Sequence, residues 1–284
     1  MKVESLADQL LFTTTRIECS DSQGNKSLGT GFFFNYIKNE QNNPFLVTNK
    51  HVIKDSEGGE LFLFSKKNDN PKLGKSIPLH VPTGFLEAWF GHNNEKVDIA
   101  VMPMKIIFDT FKLKFEDVYF LTIPDSIIPS EDKLKEIDSL EEVIFIGYPW
   151  GFWDSKNYLP IVRKGITASP INVDFEGEKK FIIDASVYPG SSGSPVFLFN
   201  KGMYQKKGGG TTVGSRLLFL GIVSETVGRN SFQDLESIPQ SVQSRLGVKT
   251  NQLLNLGVVY KSELITETIE QFFESLEKPK TQDS

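Results

Sequence analysis

A hydroxyl, an imidazole and a carboxylate stand at three separate places in this chain where chemistry could use them. Ser192 lies in the run Pro189-Gly190-Ser191-Ser192-Gly193-Ser194-Pro195, entered from the apolar Phe181-Ile182-Ile183 and left through Val196-Phe197-Leu198-Phe199. Glycines on either side of a serine let the backbone bend sharply and bring its amides near a ligand, because a residue without Cβ accepts positive φ and close approach. A serine held there has the makings of a nucleophile with its own oxyanion donors. His51 follows the short apolar run Phe45-Leu46-Val47-Thr48, a placement that can hold one ring nitrogen and leave the other free to take a proton. Asp98 heads the run Ile99-Ala100-Val101-Met102, where a carboxylate is costly unless something such as an imidazole N–H pairs with it. Taken singly, these are equally a serine-rich hairpin, a structural histidine and a strand-capping aspartate.

Composition narrows the setting. At 284 residues the chain can bury a large core, as two units or one large all-β unit. A net charge of −5, with scattered Lys and Arg, argues against a nucleic-acid footprint. No apolar run reaches the ~18 residues of a membrane span, and no apolar secretion segment follows Met1-Lys2-Val3-Glu4-Ser5. The one cysteine, Cys19, cannot form an internal disulfide and is expected as a small buried hydrophobe. With three histidines and no paired Cys or His motif, no metal and no cofactor are expected. Cytoplasmic residence is the economical expectation.

The elements that must position the three residues are mostly short strands. β-favouring runs occupy 10–18 and 29–34; Asn42-Asn43-Pro44 reads as a break, and 45–48, 60–64 and 76–81 continue the strand rhythm. Gly29-Thr30-Gly31 is a weak phosphate signal with no helix after it, so a nucleotide loop is rejected. Glu131 to Ile137 predicts one or two helical turns. Strands are expected again at 141–149, 161–169, 181–184, 196–199, 217–226 and 253–260. A hairpin tip is expected within 201–215 and a polar insert at 228–251. Trp150, Phe152, Trp153 and Tyr158 form an aromatic loop, either a binding rim or buried under the loop. Behind Ser262, apolar residues at 265, 269, 272, 273 and 276 recur at helical spacing, an amphipathic helix that packs on the rest.

His51, Asp98 and Ser192 follow one another 47 and 94 residues apart, the order of the chymotrypsin-type triad and close to its spacings of roughly 45 and 93. Together, Thr48-Asn49-Lys50-His51-Val52, Asp98-Ile99-Ala100-Val101 and Gly190-Ser191-Ser192-Gly193-Ser194-Pro195 resemble the three signature segments of trypsin-like serine peptidases. The run from 184 to 196 is most similar to the disulfide-free HtrA-type and solitary bacterial members. The resemblance implies an all-β fold of two packed antiparallel six-stranded barrels with a C-terminal helix. Residues 1–107 would form the first barrel, 108–140 a connection, 141–260 the second barrel, and 261–284 the helix and tail.

It also implies a serine endopeptidase. Ser192 would be the nucleophile, His51 the general base and then acid, and Asp98 its orienting partner. The amides of Gly190 and Ser192 would form the oxyanion hole. Ser224 would support the aspartate, and Ser224, Glu225 and Thr226 would pair with the substrate backbone. Ser186 at the pocket base, with Thr226 and Gly257 on its walls, implies a small or medium uncharged P1 residue, a preference that Asp184 and Glu225 could overturn. The partner implied is a protein or peptide substrate, with a regulatory protein or assembly beside it. Ser191 stands where secreted relatives carry an aspartate that pairs with a freshly cut N-terminus, so that activation route is not expected, and Ser194 replaces a commoner glycine. No PDZ-like segment follows the helix, which disfavours a regulated cage, and a conformational gate is expected at Pro189-Gly190. The alternative is a catalytically silent or tightly gated scaffold on the same fold. An esterase of the Gly-x-Ser-x-Gly type fails on both pattern and residue order.

Overall fold

Strands here carry continuous apolar runs because both of their faces are covered. The computed structural model describes residues 1–114, 116–235 and 246–277, and for 225–235 and 246–253 the backbone alone. In the first half, β1 (Thr14–Ser20), β2 (Lys26–Lys38), β3 (Gln41–Thr48), β4 (Gly58–Lys67), β5 (Asn70–Val81), β6 (Phe90–Gly91) and β7 (Ala100–Pro103) pair in the order β5-β4-β1-β2-β3-β7-β6. β8 (Val118–Tyr119) adds to β4 and β9 (Ile123–Pro124) runs parallel to β2, completing a nine-stranded sheet. Short helices α1 (Leu6–Leu10), α2 (Lys50–Ile53) and α3 (Met104–Phe111) accompany it, and α4 (Glu131–Glu136) sets Leu134 against the core of the second unit.

The second half closes fully. β10 (Glu142–Gly147), β11 (Ile161–Thr167), β12 (Lys180–Asp184), β13 (Pro195–Asn200), β16 (Arg216–Leu235) and β17 (Leu246–Lys261) form a six-stranded barrel in the order β10-β11-β12-β17-β16-β13. A small hairpin of β14 (Met203–Gln205) and β15 (Thr211–Val213) lies outside it, at the expected tip. Helix α5 (Glu263–Glu277) follows directly on Ser262.

Period-two alternation sorts the apolar residues between three cores. On β2, Phe33 points into the first unit's own core beside Ile17, Leu46 and Leu61, while Phe32 and Phe34 point the other way. They meet Phe45 and Val47 of β3, Phe197 of β13, and Phe219 and Ile222 of β16 in a seam between the two units. On the barrel side Val196, Leu198, Leu220 and Val223 turn inward to a third core. Phe219 is the seam's keystone, its ring centroid 5.4 Å from Phe32, 6.0 Å from Phe34 and 5.5 Å from Phe197. Helix α5 closes the seam with Ile265 and Ile269, and sets Phe272 and Phe273 edge-on against Phe45. Leu276, the last residue of the expected stripe, is 66% exposed.

The fold is the expected all-β one with a C-terminal helix: the second unit is a closed six-stranded barrel, and the first unit's strands pair in a path that ends at β5 and at the two-residue β6. Several expectations change in detail. Asn42-Asn43-Pro44 is not a break but part of β3, opposite Ile37, Tyr36 and Asn35. The chain reverses instead at Asn39 and Glu40, with φ of 50° and 60°, the backbone that a two-residue hairpin between right-twisted strands demands. The insert at 228–251 continues β16 and β17 as a ribbon down to Leu235 opposite Leu246, and 236–245 lies outside the described residues. Residues 108–140 contribute β8 and β9 to the first sheet as well as connecting the units. No helix among the described residues is long and apolar enough to cross a membrane. Cys19 is a free, buried thiol, its pKa pushed up to about 11 by burial.

Phe219 supports three rings at once, so Phe219→Ala should cost about 3–5 kcal/mol of stability by urea unfolding. A loss under about 1 kcal/mol would show that the seam does not bind the units together.

Candidate active site

Two short-range devices and one long-range one bring the three residues together. Asn49 precedes the single turn of α2, and its side-chain amide donates to the Asp98 carbonyl at 2.7 Å, tying the aspartate's backbone to the histidine's helix. From α2, His51 N–H donates to Asp98 Oδ1 at 3.0 Å, and His51 Nδ1 lies 2.5 Å from Asp98 Oδ2. An ionised carboxylate only accepts, so Nδ1 carries the proton and Nε2 is left as the free acceptor. The third donor crosses the seam: Ser224 Oγ–H donates to Asp98 Oδ2 at 2.7 Å. Ser224 can do this because a β-bulge interrupts β16 there. Val223 pairs with Val259 and Glu225 with Val258, which leaves Ser224 without a ladder partner and free to aim elsewhere.

Ser192 is held by the same residue. Its hydroxyl donates to the Ser224 carbonyl at 2.8 Å, and no Ser192–His51 hydrogen bond forms among the described residues. Ser224 thus touches Asp98 with its side chain and Ser192 with its backbone, so the three sequence-predicted residues converge on one place at the edge of the seam. The Asp98 side chain is 17% exposed and that of His51 45%. Burial alone would raise the Asp98 carboxyl, but the hydrogen bond and charge of His51, with the Ser224 hydroxyl and the His51 N–H, outweigh it and hold the carboxyl below its ordinary range.

The turn before Ser192 is already formed. Ser191 N–H donates to the Tyr188 carbonyl at 2.9 Å with Pro189 and Gly190 between them, and Gly190 has φ +87°, the geometry of a type II turn. A Cβ on Gly190 would stand 2.5 Å from the Tyr188 carbonyl oxygen, so both φ and space require glycine. Trp150 N–H donates to the Pro189 carbonyl at 2.6 Å and Ser194 N–H to the Ser191 carbonyl at 3.0 Å. Because a trans peptide sets its N–H opposite its C=O, the N–H groups of Gly190 and Ser192 both point away from these anchors. Neither donates to a protein acceptor among the described residues.

The remaining predicted positions divide. Ser186 is half-buried, and the space where a Cβ on Gly257 would lie is filled by Val187 at 2.6 Å and Ile183 at 3.2 Å. Glu225 and Thr226 are paired through their backbones with Val258 and Gly257, and their side chains lie outside the described residues. The aromatic loop splits: Trp150 and Phe152 are 66% and 67% exposed, while Trp153 lies under the Arg16 guanidinium at 3.5 Å. A cleft of about 410 Å³ opens beside His51, with Leu86, Trp89 and Ile53 for its apolar wall and Asp55 and Glu95 among its polar groups. No cluster of three or more His, Cys, Asp or Glu able to hold a metal occurs among the described residues.

Residues 29–203, well over half of the chain, match the trypsin-like peptidase domain family. The chain belongs to that family. No curated protein matches it in sequence. Among solved structures the peptidase is similar to an M. tuberculosis protease in its active form, at 12% identity and TM-score 0.44, covering 92% of this chain and 81% of that one. A structure titled HL collagenase aligns at 11% identity and TM-score 0.48, covering 94% and 95%. The tobacco etch virus protease with its product aligns at 13% and 0.44, covering 80% and 73%. At such identities the family match carries the assignment.

Sequence reasoning overlooked Thr30, Asn49, Lys50 and the backbone of Trp150. Lys50 turns its ammonium to the carbonyls of His92 and Asn94, at 2.7 and 3.1 Å, and so pins the loop that leads to Asp98. Burial lowers its pKa, against the charges of Asp98 and Glu95. The one signal at Thr30 was its pair of flanking glycines, set aside as a failed phosphate loop.

Because the folded Asp98 carboxyl lies below its unfolded value, its pairing stabilises the peptidase above the unfolded carboxylate range and ceases to do so as pH falls through the folded value. Acidification should therefore lower the melting temperature of the wild type more steeply through that range than that of Asp98→Asn. Parallel curves would show that Asp98 is not the carboxylate that the fold holds ionised.

Proposed function

We propose that this peptidase is a serine endopeptidase that works through Ser192, His51 and Asp98. The observation that carries the reading is the Asp98 carboxylate, which accepts a hydrogen bond from His51 Nδ1–H and leaves Nε2 as the free base. A hydroxyl rotates between staggered positions at small cost, and Ser192 leaves the Ser224 carbonyl for His51 when substrate enters. Catalytic hydrogen bonds are commonly loose before substrate binds.

In the reaction, Ser192 Oγ attacks the scissile carbonyl carbon while its proton passes to His51 Nε2. The carbonyl electron pair moves onto oxygen, where the N–H groups of Gly190 and Ser192 receive it; each such donor is worth about 3–4 kcal/mol in proteases. The intermediate collapses, the C–N bond breaks, and the amine leaves with the proton from His51. Water then repeats the sequence on the acyl ester and frees Ser192. Asp98 keeps the imidazole in the productive tautomer and offsets its positive charge.

The substrate is a protein or peptide. Its backbone adds alongside Ser224, Glu225 and Thr226 in the manner of an extra strand. Ser186, Thr226 and Gly257 receive a small or medium uncharged side chain, and the cleft walled by Trp89 and Leu86 receives a neighbouring apolar one. A fold that needs no disulfide suits the cytoplasm, where a regulatory partner would limit its action. One observation favours a silent or gated scaffold instead, namely the Ser192 hydroxyl engaged by the Ser224 carbonyl rather than by His51.

Profiling a peptide library separates the two. Ser192→Ala should abolish cleavage, by about 10⁶-fold, with the fold retained, and Asp98→Asn should lose about 10⁴-fold in kcat through the wrong tautomer. A fluorophosphonate should label wild type at Ser192. Turnover that survives Ser192→Ala, or no adduct at Ser192 in a folded wild type, would reject the endopeptidase reading.

A further inference from the structure

Thr30 lies on β2 of the first unit, fully buried, directly beneath the turn that carries Ser192. Its hydroxyl donates to the Gly190 carbonyl at 2.9 Å and accepts from Tyr148 N–H at 3.1 Å. Its backbone N–H donates to the Ser192 carbonyl at 2.9 Å. Its own carbonyl is occupied by Thr48 Oγ1–H at 2.7 Å, which ties it to the strand that leads to His51. Ser194 Oγ lies 3.4 Å from the Thr30 hydroxyl. One residue therefore grips the peptide groups on both sides of the nucleophile and the loop opposite.

Space around it is kept clear by glycines. A Cβ on Gly193 would stand 1.8 Å from the Thr30 carbonyl oxygen, and one on Gly147 would stand 2.5 Å from the Thr30 hydroxyl. Such contacts are impossible for any other residue without moving the backbone. The polypeptide has been brought as close to Thr30 as it can come.

We propose that Thr30 is a positioning residue for the oxyanion turn, supplied by the opposite unit. This rests on the endopeptidase reading above. The Gly190 carbonyl is drawn inward by Thr30, and the preceding Pro189 carbonyl is drawn inward by Trp150 N–H. With both carbonyls fixed, the rotations on either side of the Gly190 Cα are fixed too, and the Gly190 N–H is held outward where an oxyanion would form. The same anchor explains how Ser191, buried and with no charge, can stand where secreted relatives use an aspartate. Among the described residues its Oγ accepts only a long hydrogen bond from Tyr188 N–H, at 3.4 Å, so the turn is held from Thr30 and Trp150 instead.

The test is Thr30→Val against Thr30→Ser. Valine keeps the shape but leaves Gly190 C=O and Tyr148 N–H without their partner; serine keeps the hydroxyl. Thr30→Val should lower kcat about 10²-fold or more, the size of one lost oxyanion donor, with KM changed less than about threefold. It should also weaken a peptide boronate, which needs the hole, far more than a non-covalent substrate analogue. Thr30→Ser should return kcat to within about threefold of wild type. Should Thr30→Val not fold, Thr30→Cys, whose thiol is a poor donor, carries the same comparison. A folded Thr30→Val or Thr30→Cys with wild-type kcat, a loss confined to KM, or a Thr30→Ser as impaired as valine would overturn the proposal. If Ser192→Ala still turned over substrate, the endopeptidase reading itself would fall; if only Thr30→Val behaved as wild type, this inference alone would.

Discussion

Everything at the candidate site depends on the phenylalanine seam. Phe32 and Phe34 from one unit and Phe197 and Phe219 from the other are fully buried against each other, and each side chain contributes about 1.5–3 kcal/mol by leaving water. Polar contacts across the same boundary include Ser224 to Asp98, Thr30 to Gly190, Ser192 and Tyr148, and Tyr260 Oη to the Lys96 carbonyl at 2.7 Å. A neutral one is worth only about 0.5–1.5 kcal/mol net, and the Ser224 bond to the Asp98 carboxylate about 1.5–3 kcal/mol. Apolar burial therefore holds the units together, and the hydrogen bonds set their register. The division is physically sensible because apolar packing is non-directional, while a site that moves protons needs atoms placed to within tenths of an ångström.

The partly buried charge at Asp98 shows the same economy. Three donors converge on its two oxygens, one from the His51 backbone, one from the imidazole and one from Ser224. That is enough to keep a carboxylate ionised away from bulk water. Lys50, the adjacent cation, is not spent on it. Its ammonium is bound to the carbonyls of His92 and Asn94, so it braces the loop instead of competing with the imidazole for the carboxylate. A direct Lys50–Asp98 pair would withdraw the oxygen that orients His51.

What could be read from the sequence was whatever leaves a local trace. His51, Asp98 and Ser192 were visible as an ordered set, Ser224 followed from the resemblance, and the runs at 32–34, 196–199 and 217–223 marked strands. Their continuous apolar character matches the burial on both faces that the seam and the barrel core supply. Helix α5 was visible because its period is sustained over fifteen residues, whereas α3, with apolar residues at 104, 107, 108 and 111, was read as part of the strand and connection around it. The features that were missed are set by partners distant in the chain. Thr30 acts 160 residues away on Gly190, and nothing near Gly29-Thr30-Gly31 reveals that. Asn42-Asn43-Pro44 has turn composition, yet cross-strand pairing overrode it because Asn39 and Glu40 accept the left-handed backbone. That the path of the first sheet ends in a β6 only two residues long was likewise not legible in the sequence.

The hazard of a protease that is always active suggested a gate at Pro189-Gly190, but that turn is already formed and anchored on both sides. Flipping the turn would release Trp150 N–H from Pro189 at the surface and Thr30 from Gly190, leaving the buried Thr30 hydroxyl and Gly190 carbonyl unpaired at about 1–3 kcal/mol each. Together these losses would make the flipped state rare. Turning the Ser192 hydroxyl away from the Ser224 carbonyl breaks one hydrogen bond, worth about 1 kcal/mol, which is about a fivefold bias in population and one that a bound substrate readily exceeds. The turn is thus the rigid half of the candidate site and the Ser192 side chain the mobile half. Neither the oxyanion turn nor the serine rotor combines low cost with a strong bias, so neither makes an effective switch by itself.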